Sequence, residues 1–166
     1  VAALKRELVF YAAAVSLTER LGAAGLPVTL PVIRPRGDRA TVLRGAYNVN
    51  LAFRMLERGL DAGRLVVRND ADLSGPCRIA VLTGPNSGGK SVHLQAIGIA
   101  QLLAQAGMPV PAEAAEISVA DAILTHYQTE ERPDKEVGRL HEEAARLREL
   151  MDAVTRESLL LSSETF

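Results

Sequence analysis

The sequence predicts an α/β fold in which a mainly parallel sheet is covered by helices. Three observations predict it. Short apolar runs of strand character, RIAVLT at 78–83, ISVADAIL at 117–124 and LLLS at 159–162, alternate with stretches of helical period. A glycine-rich run, GPNSGGKS at 84–91, stands directly between the first of these and a long amphipathic stretch. Apolar residues make up 48% and charged residues 23% of the 166, an ordinary balance for one globular domain with a real core.

Taken in order, apolar residues at Leu4, Leu8, Tyr11, Val15 and Leu21 follow a helical repeat, and Gly22 and Gly25 can end that helix. PVTLPVI is extended, because each proline restricts the residue before it, and RPRGD is a turn. Residues 41–59 are ambiguous, and 65–67 read as a short strand. A helix starts within the glycine-rich run and continues through VHLQAIGIAQLLAQA to a stop at Gly107. Residues 125–137 are polar, contain Pro133 and form a loop. Leu140, Ala144, Leu147 and Met151 return to helical spacing, with Glu142 and Arg146 as an outer i,i+4 pair. The final strand is 159–162.

Net charge is −1, so the chain lacks the bulk electrostatic footprint of a nucleic-acid grip, although contacts made elsewhere in a longer protein stay open. No apolar run approaches the roughly 18 residues of a membrane span, and VAALKRELVF mixes charge in too early for a secretory signal. The single Cys77 excludes an internal disulfide and fits a reducing, cytoplasmic setting. Opening on Val1 and closing on SLLLSSETF, the chain reads as a piece of something larger.

The run of Gly84, four residues, then Gly89, Lys90 and Ser91 is the pattern of a phosphate-binding loop. Glycines let backbone N–H groups turn inward around phosphate oxygens, and the following helix directs its positive end to the same place. Lys90 can reach the β and γ phosphates of a nucleoside triphosphate, and the Ser91 hydroxyl can ligate Mg²⁺. The bland alternative is a chance match in a glycine-containing turn, expected in well under about 1% of chains this size. Such a site also requires a carboxylate that positions or activates water at the end of a neighbouring buried strand. Glu164 follows LLLSS and fits that role, against the alternative of a surface glutamate at a strand end. These features specify a P-loop NTPase.

VLTGPNSGGKSVHLQAIG resembles the phosphate-loop segment of the MutS family of DNA mismatch-repair ATPases, in which TGPN precedes two variable residues and GKS. The Pro85-Asn86 pair is more specific than the general pattern. VVRNDADLSG, carrying Asn69, and GMPVPAEAAEISVADAILT also resemble that family, so the likeness covers about residues 65–166. A weaker likeness reaches back through Tyr47-Asn48 to the first helix, which resembles a connector.

The resemblance implies an ABC-ATPase-like fold, with residues 1–30 as connector helix and linker and 31–166 as the ATPase domain. It implies ATP and Mg²⁺ held by Gly84, Pro85, Asn86, Ser87, Gly88, Gly89, Lys90, Ser91 and Val92, with Glu164 and Lys90 catalytic. Val66 or Val67 takes the place of an aromatic that stacks on adenine, with Val67 and Asn69 assigned to the nucleotide. It implies a homodimer with composite nucleotide sites, DNA bound by parts outside these residues, no membrane, and a dimer-contact loop and sensing histidine beyond Phe166.

Three departures stand out. Gly138, in VGRLHEEAARL, replaces the signature serine. Ser163 replaces the aspartate before the catalytic glutamate, leaving a contact to Mg²⁺ through water. The adenine-stacking aromatic is aliphatic. Gln128 is weighed as a contact for Mg²⁺ or water against a plain loop residue. His93, His126 and His141 lack the spacing of metal ligands, His93 reading as partly exposed. TEERPDKE reads as a solvated loop and Cys77 as a small buried side chain.

Three functions compete: a MutS-like ATPase of DNA repair or recombination that closes as a dimer on ATP, a nucleotide-dependent switch or scaffold with little hydrolysis, and a small-molecule kinase. The last lacks an Arg-rich lid and leaves GRLHEE unexplained.

Overall fold

The computed structural model describes residues 2–85, 88–127 and 136–163, with side chains given outside residues 2–3 and 136–143. The chain forms two compact units, Val1–Val119 and Ala120–Phe166.

In the first unit, helix α1 (Ala2–Ala23) leads to strand β1 (Val32–Arg34), a 3₁₀ turn (Arg36–Asp38), strand β2 (Thr41–Ala46), helices α2 (Val49–Glu57) and α3 (Ala62–Leu65), strand β3 (Asn69–Leu73), helix α4 (Lys90–Gln105) and strand β4 (Ala114–Ser118). The strands form one sheet in the order β1-β4-β2-β3. β1 runs parallel to β4, with Ile33 opposite Ile117. β2 runs antiparallel to both its neighbours, with Leu43 opposite Ala115 on β4 and Ala71 on β3. Strand alternation along the sequence predicts a mainly parallel sheet; this sheet is mixed instead, because β2 sits between β4 and β3 and pairs antiparallel with both.

Burial explains the order. β2 occupies the sheet interior, and its Thr41, Leu43, Gly45 and Ala46 are buried. Helix α4 buries Ala96, Ile97, Ala100, Gln101 and Ala104, one stripe at helical spacing. A second cluster joins the end of α1 to α2 and α3 through Leu21, Leu26, Tyr47, Val49, Ala52, Ala62 and Val66. The Arg20 guanidinium lies 4.5 Å above the Phe53 ring at its border. Of the apolar repeat on α1, Leu21 is buried whereas Leu4, Leu8, Tyr11 and Val15 are exposed.

Several local expectations change. Residues 65–67 belong to the end of α3 and its exit rather than to a strand, because Asp61 caps that short helix by accepting from the Arg64 N–H. The run 117–124 splits into the end of β4 and the start of a later strand. Residues 78–83 have no regular secondary structure and pair with no described strand, leaving Ile79 84% and Val81 82% exposed. Their strand propensity is real, but propensity supplies no partner. Cys77 immediately precedes this stretch and is exposed rather than buried.

Gly63 packs α3 against the turn after α1: a Cβ there would stand 2.2 Å from the Ala24 carbonyl oxygen. Alanine favours a helix over glycine by up to about 1 kcal/mol, yet this clash is with backbone that has no rotamer to change. Gly63→Ala is therefore expected to destabilise the protein by about 1–3 kcal/mol in urea unfolding.

The second unit contains strand β5 (Ile123–His126), helix α5 (Glu136–Ala153) and strand β6 (Leu159–Ser162). β5 and β6 pair in parallel, His126 opposite Ser162. Parallel strands need a crossover, which α5 supplies. The turn into β6 is tied by Asp121, whose two carboxylate oxygens accept from the hydroxyls of Thr155 and Ser158.

Candidate functional site at the start of helix α4

Gly89 is the N-cap of α4 and adopts φ 84°, ψ 8°, in the left-handed region that glycine reaches without strain. Gly88 donates its N–H to the Pro85 carbonyl, and a Cβ on Gly88 would lie 2.9 Å from that oxygen. The GG pair thus lets the chain fold back sharply before the helix begins. No side chain caps the helix. The helical ladder starts with the His93 N–H bonded to Gly89 O, at 2.9 Å. The Ser91 and Val92 N–H groups precede it, and a helix start presents such groups, with the positive end of the dipole, to an anion.

Lys90 aims its ammonium back at the loop, 2.8 Å from Gly84 O and 3.0 Å from Pro85 O. Gly84, Pro85, Gly88, Gly89 and Ser91 are exposed, as is Val92 at 37%. The residues around α4's first turn therefore combine a cation, a serine hydroxyl and backbone donors on an accessible surface. That donor set fits a polyphosphate with its divalent cation.

Of the two valines weighed for a base, Val66 is in the core and 5% exposed, whereas Val67 is 72% exposed. Val67 alone of the pair has a face to offer. Asn69 is exposed at the start of β3, opposite Ala46.

In the second unit, Ser163 follows β6 and donates its N–H to the His126 carbonyl at 2.9 Å. Asn86, Ser87, Gln128 and Glu164 lie outside the described residues. Gly138 lies in α5.

His93 is half-buried on α4, and its Nδ1 has no partner among the described residues. Burial holds its pKa below the ordinary histidine value, because the charged form loses solvation. Unfolded, the imidazole protonates near about pH 6.5; folded, it resists until lower pH. Between these values the unfolded state binds more protons, so stability falls as pH falls through that window. Urea unfolding at pH 7.5 and 5.5 is expected to show this loss, and His93→Gln to make it smaller.

Sequence reasoning gave no structural role to two buried amides that fix α4, Gln101 and Asn48, although Asn48 was noted in the upstream likeness. Gln101 donates to Ser118 O at 2.8 Å and accepts from Thr41 Oγ1 at 3.1 Å, tying the helix to β4 and β2. Its signal was a polar residue within an otherwise apolar stripe. Asn48 caps α2 and also reaches α4. Its signal was an Asn just before an amphipathic run.

Comparison with known proteins finds relatives over most of the chain. The family model of MutS domain V matches residues 80–165, a little over half of the chain. The DNA mismatch repair protein MutS of Dehalococcoides mccartyi is 34% identical over 135 residues, 81% of this chain and 15% of that protein. MutS of Chlorobaculum tepidum is 36% identical over 110 residues, 66% of this chain and 12% of that protein. The DNA mismatch repair protein MSH2 of Saccharomyces cerevisiae is 31% identical over 136 residues, 81% of this chain and 14% of its own length. The chain thus spans a small fraction of the length of the curated relatives it matches. No helix among the described residues is long and apolar enough to cross a membrane. With its glycine-rich turn, the helix it opens and the matched residues on either side, the chain belongs to the MutS family.

Proposed function

We propose that this chain is the ATP-binding and ATP-hydrolysing part of a MutS-like DNA repair or recombination protein. One observation carries the reading: the chain turns through Gly88 and left-handed Gly89 into a helix start with no side-chain cap, and the Lys90 ammonium is aimed back at the Gly84 and Pro85 carbonyls. The membership of the family and the printed function of its relatives support the same reading.

In this account residues 31–166 take a P-loop NTPase fold of the ABC-ATPase kind, with 1–30 as connector. Backbone donors of residues 84–92 hold the phosphates, Lys90 neutralises them, Ser91 ligates Mg²⁺, and Val67 and Asn69 border the base. Bound Mg²⁺ draws charge from the phosphate oxygens. Glu164 would orient and activate the attacking water, and Ser163, through a water, and Gln128 would help hold the metal. Two copies close over two nucleotides, and DNA is gripped by other parts of the longer protein.

A second reading has a specific basis. Ser163 brings a hydroxyl where a carboxylate would hold the metal more firmly, which favours a switch that binds and closes with little turnover.

Sedimentation velocity with MgATP or MgADP, run beside a phosphate-release assay, separates these readings. An ATP-dependent dimer with phosphate release supports the ATPase. An ATP-dependent dimer without release supports the switch. Neither dimer nor release would contradict both.

A further inference from the structure

Asn48 is 96% buried by its 4% exposure, yet it belongs to no catalytic pattern. Its side-chain oxygen accepts from the Leu51 N–H at 3.0 Å, capping α2. Its amide nitrogen donates to Val92 O at 3.1 Å and to Gln95 Oε1 at 3.0 Å, both on α4. The orientation follows from the partners: a backbone N–H can only donate, so the oxygen must face Leu51 and the nitrogen must face Val92.

Val92 is the third residue of α4, one turn from the Gly89 cap. Gln101 fastens the same helix to the sheet nine residues later, about 14 Å along the axis. A helix held at two separated points cannot swing, and the point at Asn48 is the one beside the glycine-rich turn. Small displacements of the first-turn N–H groups matter, because the strength of a charge-assisted hydrogen bond depends on aim and distance.

We propose that Asn48 is a positioning residue for the nucleotide site: by holding the Val92 carbonyl it aims the first turn of α4 at bound phosphate. The inference rests on the proposed nucleotide-binding role of residues 84–92.

Asn48→Asp separates this role from plain capping. Aspartate caps a helix as well as asparagine does, so the bond from Leu51 survives. The lost NH₂ becomes an oxygen facing Val92 O. Gln95 can turn its amide to donate, but the Val92 carbonyl cannot become a donor. Asn48→Ser also keeps a cap and removes the reach to α4 without adding charge.

The test is the Kd for MgATP by calorimetry, at a temperature where circular dichroism shows each variant fully folded, together with the backbone amide shifts of residues 90–92 by NMR. The expected result is a Kd raised about tenfold in both variants, with shifts displaced at 90–92. Wild-type Kd and unmoved shifts in Asn48→Asp would overturn the inference and leave nucleotide binding standing. If Asn48→Asp does not fold, the same two readouts on Asn48→Ser decide. A wild-type protein that binds no MgATP would overturn the nucleotide reading and this inference with it.

Discussion

Lys90→Ala is expected to weaken MgATP binding by at least about tenfold to a hundredfold, since it removes the charge-assisted contact proposed for the β and γ phosphates. The substitution also removes the bonds from Nζ to the Gly84 and Pro85 carbonyls. Those bonds are exposed, so their loss is expected to lower stability by less than about 1.5 kcal/mol. Calorimetric titration beside thermal unfolding separates the two effects: affinity collapses while the unfolding transition moves little. A Lys90→Arg variant is expected to recover part of the electrostatics but not the geometry, because a planar guanidinium does not substitute for a compact ammonium.

Glu164→Gln is expected to act in the opposite way. Glutamine keeps the size of the side chain and its ability to accept a hydrogen bond, but not its ability to take a proton. MgATP affinity should stay near the wild-type value, and turnover should fall by at least about a hundredfold, the usual contribution of a positioned general base. Phosphate release under saturating MgATP checks this. Undiminished release would remove Glu164 from the catalytic role. In the switch reading the wild-type rate is already low, and the variant then has little left to lose.

The parts of this chain legible in its sequence are those whose cause is local. The helix from Lys90 to Gln105 follows from its apolar stripe and from the glycines before and after it, and strand β6 from the run LLLS. The sharp turn before that helix was legible because paired glycines allow a backbone path that other residues resist. Pairing was not legible, because a strand's partner is a property of the whole sheet. Residues 78–83 carry the composition of a buried strand, yet Ile79 and Val81 are exposed and unpaired among the described residues.

The same distinction applies around the site. Gly89 announced itself, while Asn48 and Gln101 did not, since each acts through a partner more than 10 residues away: Asn48 through Val92 and Gln101 through Thr41 and Ser118. The partners of such buried amides, and so their roles, become visible only when the fold brings them together. Val66 and Val67 make the point at closest range, for they are neighbours of equal chemistry, and α3 puts one in the core and the other at the surface.

Everything proposed for catalysis depends on residues 84–92 binding a nucleoside triphosphate. Equilibrium titration of the protein with MgATP, with Lys90→Ala as control, tests it most directly. Saturable binding near one nucleotide per chain, largely lost in the control, is the expected result. Absence of binding at millimolar MgATP, or equal binding by the control, would contradict it.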